Sequence, residues 1–159
     1  MRGPGLIAAR WLALLLPLAL IAGALGSQYL GGLYPCEMCH WQRWPHYGAI
    51  AAALLAFFVP QTNNRVALVV LAALLIALSG AIGVFHAGVE YRWWDGITGC
   101  SAAPSSGSGD LLADIMAAPL TRCDVPQWTF AGISLAGFNA LFSLGGAVAI
   151  LALLKRKAG

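Results

Sequence analysis

The chain has 159 residues, of which 60% are hydrophobic and only 9% charged, against roughly 25% charged residues in an ordinary soluble domain. That balance excludes a water-soluble globular fold. The formal net charge of +3 is scattered along the sequence and does not form the basic, aromatic-interleaved groove that nucleic-acid binding requires.

A spanning helix needs about 20 mostly apolar residues, and four runs approach that. They predict an all-α membrane protein, one domain over residues 1–159, built as a bundle of four transmembrane helices. Expected bounds are about 11–33, 41–59, 66–88 and 128–154, with outer loops at about 34–40 and 89–127.

In the first run, Arg2 and Arg10 precede the apolar stretch and Ala24-Leu25-Gly26 resembles a cleavage site, so a removed leader is the competing reading. The run is long for a leader's apolar core, and removal would leave an odd number of spans.

The second run is the weakest. Its purely apolar part, residues 47–59, is too short to cross a hydrocarbon layer of about 30 Å at about 1.5 Å per residue. To span, it must include the turn that carries Arg43. It opens on "YPCEMCHWQRWPHY" (34–47), which holds Cys36, Cys39 and Arg43.

A tight turn, "PQTNN", leads into the third run, which ends in "GVFHAGVE" with His86 and Glu90 one turn apart. The long loop that follows contains the serine- and glycine-rich "APSSGSGD" and then "DLLADIMAAP". There Leu111, Leu112, Ile115 and Met116 recur at helical spacing, which predicts a short amphipathic helix on the membrane surface. Glycines 80, 83, 145 and 146 are candidates for close helix approach.

Charge sets the expected orientation. Arg2, Arg10, Arg65, Lys155, Arg156 and Lys157 fall at one set of helix ends, with no acid among them. Positive residues mark the cytoplasmic side, so both termini are expected in the cytoplasm. All six acids, Glu37, Glu90, Asp95, Asp110, Asp114 and Asp124, fall on the other side with the four cysteines.

An even number of cysteines facing an oxidising compartment points to disulfides. Cys36 and Cys39 form a Cys-x-x-Cys, whose small ring suits an exchangeable bond and a lowered thiol pKa. Cys100 and Cys123 are separated by the loop. Two pairs suit a relay in which a thiolate of one attacks the disulfide of the other. Structural loop staples are the plainer alternative, although the ring closed by Cys36 and Cys39 is too small to constrain the unfolded chain much. A zinc site is disfavoured by compartment and spacing, and no metal is expected.

Arg43 lies one helical turn after Cys39, where its charge could stabilise a Cys39 thiolate or meet a carbonyl oxygen arriving from the lipid. Snorkelling to the headgroups is its ordinary role. Glu37, beside Cys36, should raise the Cys36 thiol pKa by like-charge repulsion and leave Cys39 the thiolate.

With these residues in place, the chain resembles the disulfide bond formation protein B (DsbB) family of bacterial inner-membrane quinone reductases. The resemblance rests on "PCEMCHWQR" opening the second helix, "HAGVE" ending the third, "TGC" and "TRCDVPQW" in the long loop, and "FAGISLAGFNAL" opening the fourth. It implies that Cys36 and Cys39 are oxidised by ubiquinone, or menaquinone, with Arg43 beside the quinone head and His86 a further candidate contact. It also implies that Cys100 and Cys123 oxidise a periplasmic thioredoxin-fold partner of the DsbA type.

The expected function is therefore a protein-disulfide:quinone oxidoreductase of the inner membrane, its cysteines facing the periplasm. Two alternatives stay open here: a quinone reductase similar to the vitamin K epoxide reductase family, and a non-catalytic membrane protein with stapled loops. In the former the quinone-facing Cys-x-x-Cys opens a late helix, whereas here it opens the second.

Overall fold

The computed structural model describes residues 3–100 and 121–156; the amphipathic helix expected within 101–120 lies outside them. Among the described residues the elements are α1 (Pro4–Tyr29), α2 (Glu37–Phe58), α3 (Thr62–Glu90), β1 (Thr129–Phe130), β2 (Ile133–Ser134) and α4 (Leu135–Lys155). The helices α1, α3 and α4 are each long and apolar enough to cross a membrane. α2 falls short because Glu37, Gln42, Arg43 and His46 interrupt it.

Local chemistry sets the boundaries. α1 begins earlier than the apolar run suggests because Pro4 occupies its first turn, where a missing N–H leaves no bond unmade. α2 begins at Glu37 because Cys36 caps it, its Sγ accepting from the Cys39 N–H at 3.3 Å. Pro45 consequently sits in the third turn of α2, where it deprives the Trp41 carbonyl of its usual donor.

α4 begins later than expected. Residues 129–134 form a hairpin, with Thr129 opposite Ser134 and Phe130 opposite Ile133, turning through Ala131 (φ 51°) and Gly132 (φ 79°). Two successive positive φ values are what a two-residue hairpin of this twist demands. Ser134 then caps α4, its Oγ accepting from the Gly137 N–H at 3.1 Å. Tyr91 at the end of α3 holds the hairpin, its hydroxyl donating to the Gly132 carbonyl (2.9 Å) and accepting from the Ser134 N–H (2.8 Å).

α3 is the central element, packed against both α2 and α4, with α1 closing the bundle against those two. The interior is made of small side chains: Ala13, Ala49, Ala53, Ala56, Ala72 and Ala73 are fully or almost fully buried, together with Val69, Ile76 and Ile150. Larger residues such as Leu55, Leu74, Leu78, Leu141 and Phe142 face outward. This distribution suits a lipid surround, where association depends on close packing of small residues and not on expelling water.

Three of the four singled-out glycines lie at close approaches. Gly80 meets Leu144, Gly146 meets Leu16, and a Cβ on Gly83 would stand 3.0 Å from the Ala136 carbonyl oxygen. Gly145 faces open space. Gly83→Val should therefore force α3 and α4 apart and cost about 1–3 kcal/mol, while Gly145→Val should be tolerated. Thermal unfolding in detergent measures both, and equal midpoints would contradict this packing.

Candidate functional site

The Cys36 end of the bundle is assembled by three short segments. The Cys36 cap places Cys36 and Cys39 on the first turn of α2, with Sγ atoms 2.9 Å apart as a hydrogen-bonded pair of free thiols. Beyond α3 the chain folds back, Trp94 stacking on Phe85 and donating its indole N–H to the Phe85 carbonyl at 2.9 Å. The indole lies directly over Gly88, where any Cβ would collide with it.

Cys100 and Cys123 form a disulfide, and the Cys123 N–H also donates to the Cys100 carbonyl. Gln127 donates to the Tyr34 carbonyl at 2.7 Å, tying the approach to α4 onto the segment preceding Cys36. Cys36, Met38, Val89, Cys100 and Cys123 are all buried in one cluster. As a result the Cys36 Sγ, a ring nitrogen of His86 and the Cys123 Sγ lie within 4.8 Å of one another. Such a trio could suggest a metal site, but Cys123 is held in a disulfide and a metal ligand must be a thiolate. The arrangement instead places a thiol against a disulfide sulfur.

His86 is oriented by α2. Its Nδ1 accepts from Gln42 Nε2 at 2.8 Å, and Gln42 Nε2 also donates to the Met38 carbonyl. Since Nδ1 accepts, the proton of a neutral ring sits on Nε2, 3.6 Å from Cys36 Sγ and 3.8 Å from Glu90 Oε1. The Cys36 thiol is pushed up from its ordinary value, first by its hydrogen bond to Cys39 and then by burial, with negative charge on Cys39 and Glu90 adding to both. The acid that acts on Cys36 is thus Glu90, across the bundle, and not its neighbour Glu37, which points to the exposed side of the first turn.

Arg43 turns toward α1 and does not lie against Cys39 alone. Its Nη1 donates to Gln28 Oε1 at 2.7 Å and its Nη2 to the Ala24 carbonyl at 3.1 Å, leaving other N–H groups of the guanidinium unused among the described residues. It lines two cavities. The smaller also contains Cys36, Cys39, His86 and Glu90. The larger, about 260 Å³ between α1, α2 and α4, is walled by residues including Leu20, Ile21, Phe138 and Phe142. Cys39 reaches the larger cavity; Cys36 and His86 do not.

Sequence reasoning missed the polar knot beside that cavity. Asn139 of α4 donates to Gln42 Oε1 (2.8 Å) and to the Ser79 carbonyl (3.2 Å), and its Oδ1 lies 3.0 Å from His46 Nε2. Ser79 donates to the Gln42 carbonyl at 2.7 Å, and Ser143 to Asn139 Oδ1 at 3.0 Å. The available signal was i,i+4 spacing of polar residues inside otherwise apolar helices, at Gln42 and His46 and again at Asn139 and Ser143.

The model of the family described as disulfide bond formation protein DsbB matches residues 8–153. The chain belongs to the DsbB family. It is 30% identical over 153 residues to the disulfide bond formation protein B of Polaromonas sp. (strain JS666 / ATCC BAA-500), spanning 88% of this chain and 85% of that protein. It is also 25% identical over 122 residues to the uncharacterized protein RP370 of Rickettsia prowazekii (strain Madrid E), covering 74% and 70% of the two chains. No solved structure matches it. Membership of the DsbB family makes the chain a disulfide-forming membrane protein with oxidoreductase chemistry.

Because the Cys36 thiol is pushed up from its ordinary value and is buried while Cys39 is partly open, alkylation at pH 8 should modify Cys39 at least about tenfold faster, as expected where the thiolate is the nucleophile. Peptide mapping after a short maleimide pulse reads this, and first labelling at Cys36 would contradict it.

Proposed function

We propose that the chain is a protein-disulfide:quinone oxidoreductase of a bacterial inner membrane, which reoxidises a periplasmic thioredoxin-fold thiol oxidant of the DsbA type. It crosses the bilayer four times, with both termini cytoplasmic and the cysteines facing the periplasm. In support, α2 has 22 residues, or about 33 Å at 1.5 Å per residue, and its polar side chains turn inward to partners on α3 and α4, Gln42 to His86 and Asn139 and His46 to Ser79 and Asn139. Orientation is supported by the basic residues at the helix ends remote from the cysteines.

The observation that carries the reading is the approach of Cys36 Sγ to Cys123 Sγ, within 4.8 Å. A partner thiolate attacks Cys100, the less buried of the loop pair, breaking the Cys100–Cys123 bond and leaving Cys123 as a thiolate. The partner's second thiolate resolves the mixed disulfide, so the partner leaves oxidised and the loop pair holds two electrons. Cys123 then attacks Cys36 of an oxidised Cys36–Cys39 pair and Cys39 departs as a thiolate. Cys100 displaces Cys36 to restore the loop disulfide, leaving the electrons on Cys36 and Cys39. His86, its Nε2 proton facing Cys36, serves this thiol and not the larger cavity.

The larger cavity has room for a single flat ring, apolar walls, Cys39 at its edge and unused Arg43 N–H groups, so its residues fit the head of ubiquinone or menaquinone. When bound, a quinone supplies a strongly oxidising two-electron, two-proton acceptor. One is needed because a DsbA-type partner stands near −120 mV, and each 30 mV uphill costs about 1.4 kcal/mol. Arg43 would hold and polarise a ring oxygen, with Cys39 at the edge of the same cavity.

Two experiments test this. In a Cys39→Ser/Cys100→Ser double variant, Cys36 and Cys123 should join as a disulfide on mild oxidation, visible as a linked peptide; persistence of both free thiols would sink the relay. Purified protein given a short-chain ubiquinone and a reduced thioredoxin-fold partner should bleach quinone absorbance, and Cys36→Ser should abolish this. Arg43→Ala should raise KM for the quinone about tenfold or more with little change for the protein partner. Turnover that survives Cys36→Ser would favour a non-catalytic role for these cysteines.

A further inference from the structure

At the end of the bundle remote from the cysteines, Arg10 of α1 and Arg65 of α3 line one cavity of about 300 Å³ with Leu6, Ile7 and Phe57. Neither guanidinium has a carboxylate partner among the described residues, whose ion pairs lie at the other end. Arg10 stacks over the Phe57 ring, 4.2 Å from its centroid, and its buried Nε has no hydrogen-bond partner. Arg65 donates through Nη2 to the Val59 and Pro60 carbonyls at the end of α2, while its Nε is likewise buried and unpartnered. A single arginine near a helix end normally reaches for water or headgroups by itself. Two that converge on one cavity, without a counter-charge from the protein, carry an electrostatic cost that an anion would remove.

The cavity walls decide which anion. Leu6, Ile7 and Phe57 are apolar, Ile7 is 43% exposed, and the adjacent Trp11 and Phe58 face outward beside it. A hydrophilic anion would leave this wall wet, whereas a phosphodiester carrying acyl chains satisfies the guanidiniums and covers the wall together. We propose that Arg10 and Arg65 form a binding site for the phosphodiester of an anionic membrane phospholipid, its chains lying along Ile7 and Phe57. The site bridges α1, α2 and α3, so an occupied site clamps these three helices together at this end of the bundle. None of this depends on the thiol chemistry or on the quinone reading.

The test uses the full chain, delipidated in detergent, with thermal unfolding and lipid titration as readouts. Phosphatidylglycerol should raise the unfolding midpoint, while phosphatidylcholine and inorganic phosphate should not. Arg10→Gln should weaken phosphatidylglycerol binding about tenfold, as expected for loss of a charge-assisted contact, and Arg10→Lys should weaken it less because the charge remains. Arg156→Gln, an exposed basic residue near the same end, should leave it unchanged. Equal stabilisation by phosphatidylcholine, an equal effect of inorganic phosphate, or a loss in Arg156→Gln matching that in Arg10→Gln would each overturn the proposal. Arg65→Gln also removes a helix cap and is expected to lower the midpoint even without lipid.

Discussion

In an apolar bundle an amide, hydroxyl or imidazole has no water to bond, and each one left unpaired costs several kcal/mol. α2 carries Gln42 and His46 in its middle, so it is stable there only where α3 and α4 supply partners. Ser79 and Ser143 meet His46, Asn139 meets both His46 and Gln42, and Gly83 provides the close approach that lets Asn139 reach them. The knot fixes the rotation and height of α2 against its neighbours. Everything at the cysteine end inherits that register, since Gln42 is also the residue that orients His86.

From that fixed point the two thiols of one short motif face different surroundings. Cys36, at the cap, is closed in between His86 and the Cys123 sulfur. Cys39, one turn further, reaches the cavity shared with Arg43. A helical turn thus separates a thiol presented to the loop disulfide from one presented to an apolar cleft. In the proposed cycle that separation divides the labour: Cys36 exchanges with protein sulfur and Cys39 meets the lipid-soluble acceptor.

Much of this was legible in the sequence. Apolar run lengths gave a helical membrane protein, and they marked the second run as the one that could not span on apolarity alone; α2 is indeed the helix whose polar content sets it apart. Spacing grouped Cys36 with Cys39 and Cys100 with Cys123, and the latter two do form a disulfide; only the family resemblance implied what that pair would act on. The start of α4 was not legible, because the hairpin at 129–134 depends on Tyr91, a residue far away in sequence. The acid acting on Cys36 was misplaced for the same reason. Glu37 is adjacent along the chain but faces outward, while Glu90 arrives from another helix.

Composition, run length and residue spacing are local properties, and they were enough to determine the solvent this chain prefers, the number of long helices among the described residues and the placing of a Cys-x-x-Cys at a helix start. Which sulfur faces which partner was decided only in three dimensions. The distance from Cys36 to Cys123 depends on a loop tied down by the Gln127–Tyr34 contact and by the disulfide, and the direction of Arg43 depends on α1 offering Gln28 and an Ala24 carbonyl. Those are contacts between residues distant in the chain, set by helix packing, and no local pattern encodes them.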